Sequence, residues 1–114
     1  MTTSISYAEF EQVDMRIGLI LRAEPFPKAR KPAYRLWIDF GEELGIKKSS
    51  AQVTEHYHPE DLQGRLVVAV VNFPPRQIAD FMSEVLCLGV DGHGNSGVVL
   101  LEPERDVPLG SRIY

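Results

Sequence analysis

RLVVAVVNFPPRQIADFMSEVLCLG, residues 65–89, is the stretch on which the fold turns. Residues 66–71 are a short apolar run rich in Val, with Gly64 before it and Pro74-Pro75 after it, which fits a strand buried on most sides better than a helix. The two prolines fix their own φ, lack amide donors and push their predecessors to extended conformations, so the chain leaves the sheet at Asn72-Phe73. Arg76 follows on a stiff turn, and residues 84–89 resume as a second apolar run. The stretch therefore predicts two strands joined by a loop whose tip carries Arg76 and Asp80.

Composition sets the bounds around this element. A chain of 114 residues, 44% hydrophobic, reads as one domain over residues 1–114, and a chain of this size buries roughly 60 to 70% of its unfolded surface. The lone Cys87 has no internal disulfide partner and sits in an apolar run, which predicts a small buried hydrophobe and a reducing, cytoplasmic setting. The start lacks the apolar core of a signal peptide, and no run approaches the ~18 apolar residues of a membrane span. Net charge is −4, against indiscriminate coating of nucleic acid, yet six of the twelve Lys and Arg residues lie between Lys28 and Lys48. Such a patch attracts phosphate or an acidic partner only locally, because salt confines its field to about 8–10 Å.

Outward from the central stretch, residues 1–5 read as flexible and residues 6–13 as a helix. Ser6 is placed to cap it with Glu9 three positions on, and Tyr7, Phe10 and Val13 form an aromatic face expected to cover an open end of a barrel. Residues 15–26 predict a strand with Ile17, Leu19 and Leu21 on one face, and Gly18 suggests a bulge or tight bend. The proline-bounded loop that follows displays Lys28, Arg30 and Lys31. Residues 34–40 form the return strand, with Leu36, Ile38 and Phe40 on one side and Trp37 and Asp39 on the other. GEELG is a turn, and residues 46–57 a third strand whose Ser49, Ser50, Gln52 and Thr54 make one side polar. His58-Pro59-Glu60-Asp61-Leu62 opens a one-turn helix that Gly64 ends. The final strand, residues 98–101, follows a glycine-rich turn, and residues 105–114 make a terminal turn whose Ile113 and Tyr114 pack back or meet another chain.

Several apparent motifs fail on physical grounds. GHGNSG, residues 92–97, matches a dinucleotide fingerprint letter for letter, but a strand rather than a phosphate-binding helix follows it, so it reads as a hairpin turn. His56-Tyr57-His58 is a weak metal pair, interrupted by Pro59 and without distant Cys or His ligands, so neither metal nor cofactor is expected. No nucleophile elbow or oxyanion-hole loop accompanies any Ser and His, so no catalysis is expected.

Five strands with a short helix between the third and fourth give an all-β, five-stranded Greek-key OB-fold barrel, a class that binds ligands on one face and its loops. The same residues carry a family resemblance. Asp14-Met15-Arg16-Ile17-Gly18, FPKA, KKSSAQVT, PEDLQGRLVVAVVNFPPR and SEVLCLG together resemble the tRNA-binding module appended to methionyl-tRNA synthetases, and in particular its free-standing CsaA-type secretion chaperones. The resemblance implies a cytoplasmic homodimer without cofactor that binds unfolded or precursor polypeptides. It further implies that the positions of Arg16, Lys48, Arg76 and Ser83 match a nucleic-acid face. The SEVL sequence places Glu84 where phosphate would approach, which counts against tight tRNA binding.

Two kinds of ligand follow. A peptide groove would be lined by Trp37, Phe73 and Phe81, with Ser49, Gln52 and Asn72 bonding the client backbone. An RNA face would instead use Arg16, Lys28, Arg30, Lys31, Lys47, Lys48, Arg76 and Ser83, reading shape more than sequence. Pairing of two barrels through the N-terminal helix and the last turn would cover apolar edges that a single barrel leaves open.

Overall fold

In the computed structural model, which describes residues 3–114, the chain winds into a nearly closed antiparallel barrel. Its strands are β1 (Met15–Pro25), β2 (Tyr34–Asp39), β3 (Ile46–Ala51), β4 (Leu66–Val70), β5 (Arg76–Ile78), β6 (Phe81–Ser83), β7 (Leu86–Cys87), β8 (Gly89–Asp91) and β9 (Val98–Leu100). The main sheet runs β3-β2-β1-β4-β7, and β5–β6 and β8–β9 are two-stranded ribbons. Residues 1–2, part of the start expected to be flexible, lie outside the described residues.

The open edges of β3 and β7 approach one another through the segment just before β7. The Glu84 amide donates to the Lys48 carbonyl at 2.8 Å, and Glu84 Oε1 accepts from the Lys48 amide at 2.9 Å. One residue away, the Ser50 amide donates to Ser83 Oγ at 2.9 Å, and Ser49 Oγ donates to the Val85 carbonyl at 3.0 Å. The carboxylate expected to repel phosphate is thus a clasp on the seam, satisfying the Lys48 amide where no regular ladder joins β3 to β7.

Inside, Ile20, Leu36, Ile38, Phe40, Leu62 and Val67 are fully buried. Leu36, Ile38 and Phe40 point inward as their alternation requires. On β1 the expected face of Ile17, Leu19 and Leu21 is corrected: Ile17, Gly18 and Ile20 are buried and Leu21 is exposed. Gly18 and Ile20 face the interior, so alternation sends Leu21 to the other side, and the bulge between Ile20 and Arg22 then brings Ala23 rather than Arg22 back to the core. Gly18 is not the bulge but a close approach, because a Cβ there would meet Ile38 Cγ2 at 2.5 Å and Phe40 Cε1 at 2.7 Å.

Three helices punctuate the barrel. α1 (Tyr7–Glu11) starts as expected, with Ser6 Oγ accepting from the Glu9 amide and Glu9 returning the bond. Its aromatic face covers nothing: Tyr7 is 63% exposed, and no residue of the helix is buried. GEELG is α2 (Gly41–Leu44), one helical turn instead of a plain turn. α3 (Pro59–Leu62) lies between β3 and β4, inserts Leu62 into the barrel, and is tied to β1 by Gly64 N–H to Ile20 O and Ile20 N–H to Arg65 O. The third strand stops at Ala51, short of the expected residue 57, as the chain turns toward α3.

GHGNSG forms the turn between β8 and β9, with Gly94 and Asn95 at positive φ. The tail runs antiparallel along the start of β1: Ile17 donates to Ser111 O, Gly110 to Ile17 O and Ile113 to Met15 O. No helix among the described residues is long and apolar enough to cross a membrane.

Candidate nucleic-acid interface

Alternation that sends Leu36 and Ile38 inward sends Trp37 to the outer face of β2, and a second, smaller core forms there. Phe81 of β6 packs edge-on against Phe26 at 5.5 Å and Trp37 at 5.8 Å between ring centroids, and Ile78, Ala29 and Ala33 fill in around them. This cluster pins the β5–β6 ribbon onto the barrel wall. Cations roof it: the Arg22 guanidinium lies 4.1 Å from the Trp37 ring centre, Lys48 Nζ 5.2 Å from that of Phe81, and Arg35 5.5 Å from that of Phe26.

Two loops meet at the margin of that face. The β1–β2 loop carries Lys28, Arg30 and Lys31, and the β4–β7 connection carries the ribbon with Arg76 at its start and Ala79-Asp80 at its tip. Lys28 Nζ contacts Asp80 Oδ2 at 2.8 Å, bridging the loops, and the lysine holds the Asp80 carboxyl below its ordinary range. A shallow cleft between them is lined by Lys28, Arg30, Arg76, Gln77 and Ala79. Arg76 is therefore not at the loop tip, as expected, but in a strand opposite Ser83.

Ion pairing divides the cations in a way the sequence did not disclose. Among the described residues, Arg16, Arg22, Lys28, Arg35, Arg65, Arg105 and Arg112 each have a carboxylate within pairing distance. Arg30, Lys31, Lys47, Lys48 and Arg76 form no ion pair with a described residue. All five belong to the set expected to meet RNA.

The other expected site residues scatter. Arg16 is largely enclosed: its Nε donates to Asp14 Oδ1 at 2.6 Å, and Nη1 reaches Glu43 Oε1 at 3.4 Å and the Gly110 carbonyl at 3.1 Å. The Asp14 bond raises its pKa further. Its guanidinium fastens the entry to β1, α2 and the tail, so little of it faces open solvent. Ser83 is likewise committed to the Ser50 amide. Of the expected groove residues, Ser49 is wholly buried and Phe81 is 6% exposed. Asn72 accepts from the Asp14 amide and donates to the Gln12 carbonyl, clamping the two termini of the strand pair. Phe73 and Gln52 are exposed and Trp37 is half-buried, and none of the three lines either cleft at the β1–β2 loop.

Cys87 is half-buried, its thiol donating toward Ser49 Oγ, and burial pushes its pKa up to about 11. His56 Nε2 lies 3.1 Å from Ser96 Oγ, and no cluster of three potential metal ligands occurs among the described residues. The Glu84 clasp, the Arg22–Trp37 stack and the Lys28–Asp80 bridge were the features missed. Only the last left a trace in the sequence, in the placing of Asp80 at the second loop's tip.

A family model described as "Putative tRNA binding domain" matches residues 15–112. The chain belongs to the tRNA-binding domain family. Within it the likeness is to the CsaA type: the crystal structure of the CsaA chaperone of Bacillus anthracis is 51% identical, with a TM-score of 0.90 over 98% of this chain and 100% of that one. The CsaA chaperone of Picrophilus torridus is 47% identical, with a TM-score of 0.89 over 97% of this chain and 100% of that one. The methionine–tRNA ligase of Archaeoglobus fulgidus is 36% identical over 109 residues, 96% of this chain but only 16% of that enzyme. The chain thus corresponds to about one sixth of that synthetase and to the whole of the two CsaA structures.

Proposed function

We infer that the protein is a polypeptide-binding chaperone of the CsaA type, acting as a cytoplasmic homodimer on unfolded or precursor chains bound for secretion. The observation that carries the reading is an apolar apron left open on the barrel. Arg112 Nη2 donates to the Glu11 carbonyl at 2.7 Å and Asn72 to the Gln12 carbonyl at 2.8 Å, so α1, the tail and Phe73 are held together. They present Tyr7, Val13, Phe73 and Tyr114 to solvent, with Tyr114 96% exposed. An apolar area of this kind is the usual mark of an interaction surface. A second copy is the occupant we assign to it, because a two-fold pairing would cover the patch with itself.

Pairing leaves a shallow apolar depression lined by Pro25, Phe26, Pro32, Ala33 and Tyr34 for an extended client segment. Gln52, two residues from Thr54 in the same lining, would bond the client backbone. The single half-buried thiol suits a reducing compartment. The test is light scattering of a denatured client: stoichiometric protein suppresses aggregation, and unchanged scattering removes the chaperone role.

A second reading, a structure-selective RNA binder, is favoured by one specific observation: the five cations without ion pairs gather about the β1–β2 loop, β3 and the ribbon. Phosphate contacts of this kind position a nucleic acid without reading its sequence. Binding of folded tRNA that falls steeply with salt supports it. Affinity unchanged in Lys48→Glu and Arg76→Glu rejects this face as the RNA site.

A further inference from the structure

The cleft between the β1–β2 loop and the β5–β6 ribbon holds cations of two kinds. Arg30 and Arg76 form no ion pair with a described residue, whereas Lys28 is bonded to Asp80 across the mouth. Asp80 contributes little to the fold by this bond, since both partners are more than half exposed and water screens such pairs. Yet the backbone is set up to present it. The two-residue turn joining Ile78 to Phe81 places Ala79 at φ 53, a conformation that hairpin turns normally give to glycine. Gln77 Nε2 donates to the Ala79 carbonyl at 3.1 Å, holding that turn in place. Mild strain and a supporting bond therefore hold a carboxylate against a lysine that lines a basic cleft.

The geometry points to Asp80 as a built-in competitor for the cleft, a carboxylate that occupies Lys28 until the phosphodiester backbone of an RNA displaces it. This deepens the RNA-binding reading and rests on it. A carboxylate and a phosphate oxygen accept the same charge-assisted bond from an ammonium. While Asp80 holds Lys28, an incoming phosphate gains one cation fewer and meets one repulsive charge. The bridge therefore lowers affinity for every phosphate ligand without altering selectivity, and keeps the rim open to ligands that do not depend on charge.

The experiment uses the whole chain, wild type and Asp80→Asn, titrated with folded tRNA and separately with inorganic tripolyphosphate at two salt concentrations. The turn geometry survives this near-isosteric change, which an unaltered melting curve verifies. The expected result for Asp80→Asn is affinity raised about three- to tenfold at low salt for both probes, and a salt slope for tRNA steeper by about one unit as Lys28 is recruited. Lys28→Ala added to Asp80→Asn abolishes the gain. Equal affinity in wild type and Asp80→Asn, with Arg76→Glu still weakening tRNA binding, overturns the competitor role and leaves RNA binding standing. A gain for tripolyphosphate with no tRNA binding by either protein upholds the competitor and overturns RNA as the ligand. No binding of either probe by any variant overturns both.

Discussion

Arg16 and Arg76 illustrate two regions that the sequence makes look alike. Both stand at the start of a strand, and both match positions of a nucleic-acid face in the family resemblance. At the α1–tail end, Arg16 is enclosed by Asp14, Glu43 and the Gly110 carbonyl. At the ribbon end, Arg76 is exposed and forms no ion pair with a described residue. The first region uses its charge to fasten chain ends beneath an apolar apron, whereas the second leaves its charge for a ligand. A basic residue marks a binding face only when the surrounding carboxylates leave it uncompensated, and that depends on pairs remote in sequence, such as Arg16 with Glu43.

The sharpest way to break this contrast is Arg16→Met. It leaves Asp14 and the Gly110 carbonyl with fewer partners, so a loss of about 1–3 kcal/mol is expected, discounted toward the lower end for residual solvent access. Urea denaturation reads the loss, and the tRNA affinity of the folded fraction stays within about twofold. Weakened RNA binding at full stability would place Arg16 in the second region after all. Arg76→Glu should do the converse: about tenfold weaker tRNA binding at low salt, with stability within about 0.5 kcal/mol of wild type.

The apron predicts a smaller effect. Phe73→Ser should raise the dimer dissociation constant about fivefold in sedimentation equilibrium while leaving the monomer folded. An unchanged constant would move the interface elsewhere. Smallest is the contribution of Cys87 in alkali. Burial raises its folded pKa to about 11 from a usual value of 9.0, so between those pH values the folded state holds the proton more tightly than the unfolded state. Stability then declines as pH rises from about 9 to 11. Cys87→Ala should lack that part of the decline, and an identical pH profile would show that the thiol is not shielded.

Much of the barrel was legible because it rests on local rules. Alternation in residues 34–40 placed Leu36, Ile38 and Phe40 inside, the Ser6 and Glu9 pair started α1, and Pro59 with Gly64 bounded α3. What escaped depended on contacts between distant segments. Leu21 turned outward because Ile20, opposite Ile38, is the residue that faces the core, and Gly18 proved necessary only once Phe40 and Ile38 were known to press on it. Ser49 and Phe81 stood among the expected groove residues because the packing of Phe81 on Trp37, and the seam that encloses Ser49, join residues more than thirty positions apart. The RNA face was half legible: its residue types were visible, but their ion pairing was not.

The most direct test of the chaperone reading is the salt dependence of binding to an unfolded, apolar client segment, followed by fluorescence anisotropy at low and high ionic strength. Contact through an apolar depression predicts affinity that holds or rises with salt. Affinity that collapses along the same steep line as tRNA binding would mean that the cationic rim, and not an apolar surface, is what this barrel offers its partners.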